Sequence, residues 1–165
     1  MFATKPISPE SIAGALAKAE RYRLLNEPEE AESICYDILE IESHNHQALV
    51  SLILSLTDQI PEDPNAFSKA LTRIASLQSP YDRAYYSGIA WERRAKARHV
   101  GGGQGARQYV YEWIANALRF FEEAERLRVA GNDDAVLRWN ACVRFLEQKH
   151  LTPQVEEMRE PIVSE

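Results

Sequence analysis

Cysteine is nearly absent: the 165 residues hold two, Cys35 and Cys142, far apart in the chain. A disulfide framework needs paired cysteines at closer, repeated spacings, so both are read as buried, reduced thiols on or near apolar helix stripes. No apolar run approaches the roughly 20 residues a membrane helix requires. The start MFATKPISPE lacks the basic end and apolar run of a secretory leader. The expectation is a cytoplasmic protein without a membrane partner. Positive charge is also in short supply. The net charge is −6, which argues against nucleic acid as a partner, because that affinity comes largely from neutralising phosphates with Lys and Arg. Residues 1–80 carry six basic and twelve acidic side chains, whereas residues 81–165 carry thirteen of each, so the excess acid lies in the first half.

The residue patterns of catalysis and metal binding are missing too. His44 and His46 form an isolated His-x-His with no cysteine near them, short of a metal-site spacing, and read as a surface turn. No nucleophile sits in an elbow or triad setting. The carboxylate pairs Glu29-Glu30, Glu122-Glu123 and Asp133-Asp134 fall at helix starts or on solvated faces, where they complement helix dipoles and aid solubility. Gly101-Gly102-Gly103-Gln104-Gly105 has no strand before it and no Gly-Lys-Ser/Thr after it, so it reads as a helix-to-helix connector and not a phosphate loop. The expectation is a protein with no catalytic residues, no cofactor and no metal.

What is present is helical periodicity from end to end. Ser8-Pro9 offers a cap and a first-turn proline, after which Ile12, Ala15, Ala19 and Tyr22 share a face, giving a first helix to about Leu25. A second helix starts at Pro28, with Ala31, Ile34, Cys35, Ile38 and Leu39 as its buried stripe, and ends near Ile41. The third, from about His46 to Thr57, is apolar nearly all round and should be the most buried element. Asp63-Pro64 and Ser79-Pro80 bracket a fourth helix carrying Phe67, Ala70, Leu71, Ile74 and Leu77. The fifth is long, from Tyr81 to about His99. The sixth, about Arg107 to Arg128, carries Val110, Trp113, Ile114, Ala117, Phe121, Ala124 and Leu127 on one face. Asn132-Asp133-Asp134 opens a seventh, whose apolar face (Ala135, Val136, Trp139, Cys142, Val143 and Leu146) opposes a wet one. One domain over 1–150 is expected, with a tail from 151 to 165 that frays.

Ala15, Ala19 and Tyr22, then Ala31 and Cys35, fall in slots of the tetratricopeptide signature W-x2-L-G-x2-Y, then A-x3-F. Lys18 holds the Leu slot. One period of 34 residues further on, Leu49, Leu52 and Leu56 return to the pattern. Ala84, Ser87, Gly88 and Trp91 begin a third copy, which Ala117 and Phe121 complete. The chain therefore resembles the tetratricopeptide repeat (TPR) family. The segments YYSGIAWERRAKA and GNDDAVLRWNACVRFLEQ are similar to the closing part of uncharacterised bacterial repeat proteins. This resemblance implies an all-α fold: a right-handed α-solenoid of about three helical hairpins closed by a C-terminal capping helix.

The same resemblance implies a function, binding another protein, and a surface, the concave face lined by the first helix of each hairpin. The implied groove residues are Ala13, Leu16, Glu20 and Arg23; then Gln47, Val50, Leu54 and Thr57; then Asp82, Tyr85, Ile89 and Glu92, with Lys96 one turn on. An acidic-to-mixed wall over apolar residues suits a peptide or helix with apolar anchors and some positive charge; simple packing of Leu16, Val50 and Leu54 against a neighbouring helix is the alternative. In this reading Trp91 faces the hairpin interior and Tyr85 the groove. Two other functions stand beside the adaptor. One is self-association, for example as a homodimer, through Tyr85, Ile89 and Phe145. The other is a small anionic ligand on a basic stripe of Arg83, Arg94 and Arg98, although pairing of those arginines with Glu112, Glu122 or Glu123 would leave no free stripe.

Overall fold

The computed structural model describes residues 1–153. These residues form a 3-10 turn, Pro9–Ser11, and seven α-helices with no strand among them: α1 (Ile12–Leu24), α2 (Pro28–Ile41), α3 (His46–Asp58), α4 (Ala66–Ala75), α5 (Pro80–Gly101), α6 (Ala106–Leu127) and α7 (Asp134–Gln148). The chain is all-α. No helix among the described residues is long and apolar enough to cross a membrane.

Local chemistry accounts for most of the boundaries. α1 ends in a six-to-one closure in which Asn26 is left-handed at φ 61°, the Glu27 N–H donates to the Tyr22 carbonyl at 2.9 Å and the Asn26 N–H to that of Arg23 at 3.0 Å. Asn tolerates that conformation at a helix end better than most residues, and Pro28 then occupies the first turn of α2. α3 is capped by Asn45, whose side-chain oxygen accepts from the Ala48 N–H at 2.9 Å. α5 is capped by Ser79, which accepts from the Asp82 N–H at 3.2 Å, with Pro80 at the first helical position. At the other proline starts the expected caps differ. The Ser8 side chain makes no cap bond, and α4 begins at Ala66, after a turn in which Asp63 accepts from the Asn65 N–H and pairs with Lys69.

Helices adjacent in the chain pack against each other throughout, and α3 also touches both α1 and α5. With neighbours on several sides α3 is the most buried helix, as its all-round apolar sequence requires. Small residues let α1, α2, α3 and α4 close on one another around Ala19, Ala31, Cys35, Leu52, Leu56 and Ala70. The longest interface joins α5 and α6, 22 residues each. Its closest approach is at Gly88, where a Cβ would stand 2.5 Å from the ring of Phe121. Only glycine fits under that ring.

α7 lies on α6, placing Cys142 in one core cluster with Ile89, Ile114, Ala117 and Phe121. It closes with the same six-to-one device as α1. His150 is left-handed at φ 51° and the Leu151 N–H donates to the Leu146 carbonyl at 2.9 Å. Leu151 is 5% exposed in the core and not part of a fraying tail; the rest of the tail, from residue 154, lies outside the described residues. Leu127, expected inside on α6, is 45% exposed at the helix end.

Candidate functional site

A groove of about 540 Å³ opens between α1 and α3, with Tyr86 of α5 as its far wall. α1 contributes Ala13, Leu16, Ala17, Glu20 and Arg23; α3 contributes His46, Gln47, Val50, Ser51 and Leu54. The periodicity explains the arrangement: Leu16, Glu20 and Arg23 recur at helical spacing on one face of α1, as Gln47, Val50 and Leu54 do on α3. Leu16, Val50 and Leu54 are half-buried, while Ala13, Glu20 and Gln47 are exposed. The result is an apolar floor with a polar rim.

The two ends of the groove are electrostatically different. At one end Arg23 Nε sits 3.0 Å from Asp58 Oδ2, and Arg93 Nη1 of α5 donates to Asp58 Oδ1. Arg93 also donates to Thr57 Oγ1 at 2.6 Å and to the Leu54 carbonyl at 3.2 Å. Two guanidiniums thus share one carboxylate and tie α1, α3 and α5 together. At the other end His46 Nε2 lies 3.8 Å from Asp82 Oδ2, an ion pair only when the imidazole is protonated. Tyr86 is half-buried there; burial first, and then the Asp82 charge, push its hydroxyl up to about 12. None of these groups is a nucleophile poised against a base, and the described residues contain no group of three or more His, Cys, Asp or Glu able to hold a metal ion.

Of the residues expected from the third hairpin, Asp82 reaches the end of this groove beside His46, whereas Tyr85, Ile89, Glu92 and Lys96 do not line it. Ile89 is 3% exposed and Glu92 1%, both inside the protein. Tyr85 is half-buried, stacked parallel to Tyr81 at 5.8 Å and tilted against Phe121 at 6.0 Å. Beyond Asp82, α5 meets α3 through Tyr86, Ala90 and Arg93, each one position beyond Tyr85, Ile89 and Glu92. One residue is a 100° turn of a helix, and it carries the expected set away from α3 towards α6 and α7. There α7 covers them. Glu92 Oε1 accepts from Lys96 at 2.5 Å and has Arg138 of α7 at 3.6 Å, and the Lys96 ammonium lies 5.6 Å from the centre of the Phe145 ring. Burial and then the Glu92 charge push the neighbouring Cys142 thiol up to about 12, a protonated and unreactive state. Burial likewise raises the Cys35 thiol. Thr57 is a further correction: at 1% exposure it serves as an acceptor for Arg93 and does not line the α1–α3 groove.

Of the surface expected for self-association, Ile89 is buried, whereas Tyr85 and Phe145 are half-buried, Phe145 with the His99 ring edge-on at 5.4 Å. The basic stripe comes apart as well. Arg83 turns back to the end of α4, donating to the Leu77 and Gln78 carbonyls at 2.7 and 2.9 Å, whereas Arg94 and Arg98 line a separate groove. None of the three pairs with an acid of α6: Glu122 bridges Arg126 at 3.0 Å, and Glu112 accepts from Gln108. Trp91 is half-buried, not fully interior, and meets Phe67 edge-on at 4.8 Å.

Sequence reasoning missed Asp58, Arg93 and Tyr86. A signal for the first two existed, because Arg23, Asp58 and Arg93 stand 35 residues apart in succession, one residue from the repeat period. Tyr86 carried none, since its neighbour Tyr85 fits the pattern equally well. Comparison with protein-family models, curated proteins and solved structures finds no match to this chain.

Proposed function

We propose that this chain is a non-catalytic, TPR-like adaptor: a right-handed stack of three helical hairpins capped by α7, acting in the cytoplasm and holding a peptide or helix of a partner protein in the groove between α1 and α3. The observation that carries this reading is the groove's composition. Residues drawn from two hairpins one repeat period apart, Leu16, Glu20 and Arg23 with Gln47, Val50 and Leu54, line a single open channel. The ladder Arg23, Asp58, Arg93, at two equal steps along the chain, supports a repeat stacking of α1, α3 and α5. An apolar floor flanked by Glu20 and by the free edge of His46 favours a segment with apolar anchors spaced along one face and a basic group at the rim.

The test is affinity capture from the native cell with the wild-type chain and with Val50→Glu, which places a charge on the groove floor without touching the α1–α2 or α5–α6 cores. Helical content by circular dichroism should be equal for the two. Proteins held by the wild type should be absent from the variant's eluate, and a truncated partner segment should then bind directly in solution. Identical capture by both chains would sink the groove assignment.

A further inference from the structure

Most half-buried arginines in this protein have a polar acceptor: Arg23 and Arg93 on Asp58, Arg83 and Arg98 on backbone carbonyls, Arg128 on Asp133 and Arg138 near Glu92, while Arg73 lies over the Tyr36 ring. Arg94 has no such acceptor and is held by three rings at the border of a groove. Its guanidinium carbon lies 4.3 Å from the centre of the Phe67 ring and 4.1 Å from that of Trp113, with Trp91 at 5.4 Å. Aromatic rings therefore crowd the cation, an arrangement that is favourable electrostatically. Its N–H donors meet no acceptor among the described residues. They border a groove of about 540 Å³ between the α3–α4 turn, α4, α5 and α6, well away from the channel between α1 and α3.

Three further features bear on what would fit there. Arg98 lines the same groove one turn along α5; one of its nitrogens donates to the Gln104 carbonyl at 3.2 Å, and the rest of its fork has no acceptor among the described residues. Ile60, Pro61 and Pro64 add apolar wall. Asp63 is the acid in the lining, and both its oxygens are engaged, one by the Asn65 N–H at 2.8 Å and one by Lys69 at 2.9 Å. A guanidinium fork without an acceptor, with a second cation beside it and apolar walls around both, fits the two acceptor oxygens of a carboxylate carried on an apolar group.

We propose that the Arg94–Arg98 groove is a second binding site, a receptor for a carboxylate with apolar flanks. The guanidinium edge of Arg94 receives the two oxygens in a bidentate pair, and Phe67, Trp113 and Pro61 pack the flanks. Two sources share this chemistry: an Asp or Glu side chain of a bound protein segment, or a free organic acid.

Because Trp91 and Trp113 border Arg94, indole fluorescence of the full-length chain reports occupancy. The probes are N-acetyl-Leu-Glu-Leu-amide, its neutral partner N-acetyl-Leu-Gln-Leu-amide, sodium succinate and inorganic phosphate. The expected result is saturation by the Glu peptide, with Kd at or below ~1 mM, and none by the Gln peptide. Saturation by succinate as well assigns the site to carboxylates in general, and saturation by succinate alone assigns it to a free acid. Arg94→Lys keeps the charge and loses the fork, so it should weaken carboxylate binding ~tenfold, and Arg98→Gln should weaken it less. The proposal is overturned if no carboxylate saturates the signal, if phosphate saturates it and no carboxylate does, if the Gln peptide saturates it as the Glu peptide does, or if Arg94→Lys binds as the wild type. The Glu/Gln pair decides the matter even where a variant fails to fold.

Discussion

The first two hairpins and the third follow one sequence pattern, yet their equivalent faces meet different fates. On α1 and α3 the residues at concave positions stay accessible and form a channel. On α5 the corresponding residues are sealed by α7, and Glu92 is left with Oε2 buried and unpartnered while Oε1 takes Lys96. The difference teaches that α7 does more than end the helical array: it covers the face of α5 that corresponds to the channel-lining faces of α1 and α3. A pattern that marks an accessible face in one helix marks core in another, and what lies beside the helix decides which.

The largest expected effects lie in the sealed half. Phe121→Ala should cost about 3 to 5 kcal/mol by urea denaturation, the range for an emptied aromatic core site. Gly88→Ala should cost about 1 to 3 kcal/mol by driving a methyl into the Phe121 ring. Combining Gly88→Ala with Phe121→Leu should then cost less than the sum, and strict additivity would show that the two do not meet.

Tyr85 distinguishes sealed from open directly. Packed on Tyr81 and Phe121, it should lose about 2 kcal/mol on truncation to Ala without affecting partner capture, the reverse of a groove anchor. Loss of capture at unchanged stability would restore Tyr85 to the recognition face.

The buried carboxylate offers a third test. Arg138→Leu should cost about 1 to 2 kcal/mol because it strips a partner from Glu92, whereas Glu92→Met, which removes the charge itself, should be close to neutral, and the double variant should recover most of the single Arg138 loss. Equal costs for all three would mean that the pair is not coupled.

Alkaline pH should also separate the halves. The Cys142 thiol rises from its usual 9.0 to about 12 in the folded protein and the Tyr86 hydroxyl from 10.0 to about 12. Between those limits the unfolded chain gives up protons that the folded chain retains, so their contribution is full below pH 9 and is lost as pH climbs towards 12. Each group contributes a slope of at most about 1.4 kcal/mol per pH unit. Cys142→Ala should flatten that decline; an unchanged slope would place the thiol in contact with water.

The smallest effect belongs to the open half. Gln47→Ala, on the exposed rim, should shift stability by less than about 0.5 kcal/mol while reducing capture, and a large shift would mean that the rim is structural.

Much of this architecture is written in local patterns. Pro28 and Ser79-Pro80 mark helix starts because they act within one turn, and the apolar girdle of α3 announces a helix covered on several sides. Leu16, Val50 and Leu54 were readable as one lining because Leu16 and Val50 stand 34 residues apart and Leu54 follows Val50 by one turn. The rotation of α5 was not readable. That helix meets α3, α4, α6 and α7 at once, so almost any phase places something apolar inwards, and Tyr85 and Tyr86 are equivalent as text. The basic residues misled for a related reason: a shared helix face implies a stripe only until one arginine finds carbonyls, as Arg83 does at the end of α4, and another finds rings, as Arg94 does.

By itself the sequence determined the helices, their order and the buried stripe of each, since periodicity and capping are decided within a few residues. The tertiary structure alone decided which of those stripes stays open. Phe121 over Gly88 sets how close α5 and α6 lie, Arg93 on Asp58 locks the rotation of α5, and α7 takes the face that remains. These are contacts between residues 33 to 46 positions apart in the case of Gly88 with Phe121 and Glu92 with Arg138, and no local pattern of side chains encodes which of several compatible partners wins.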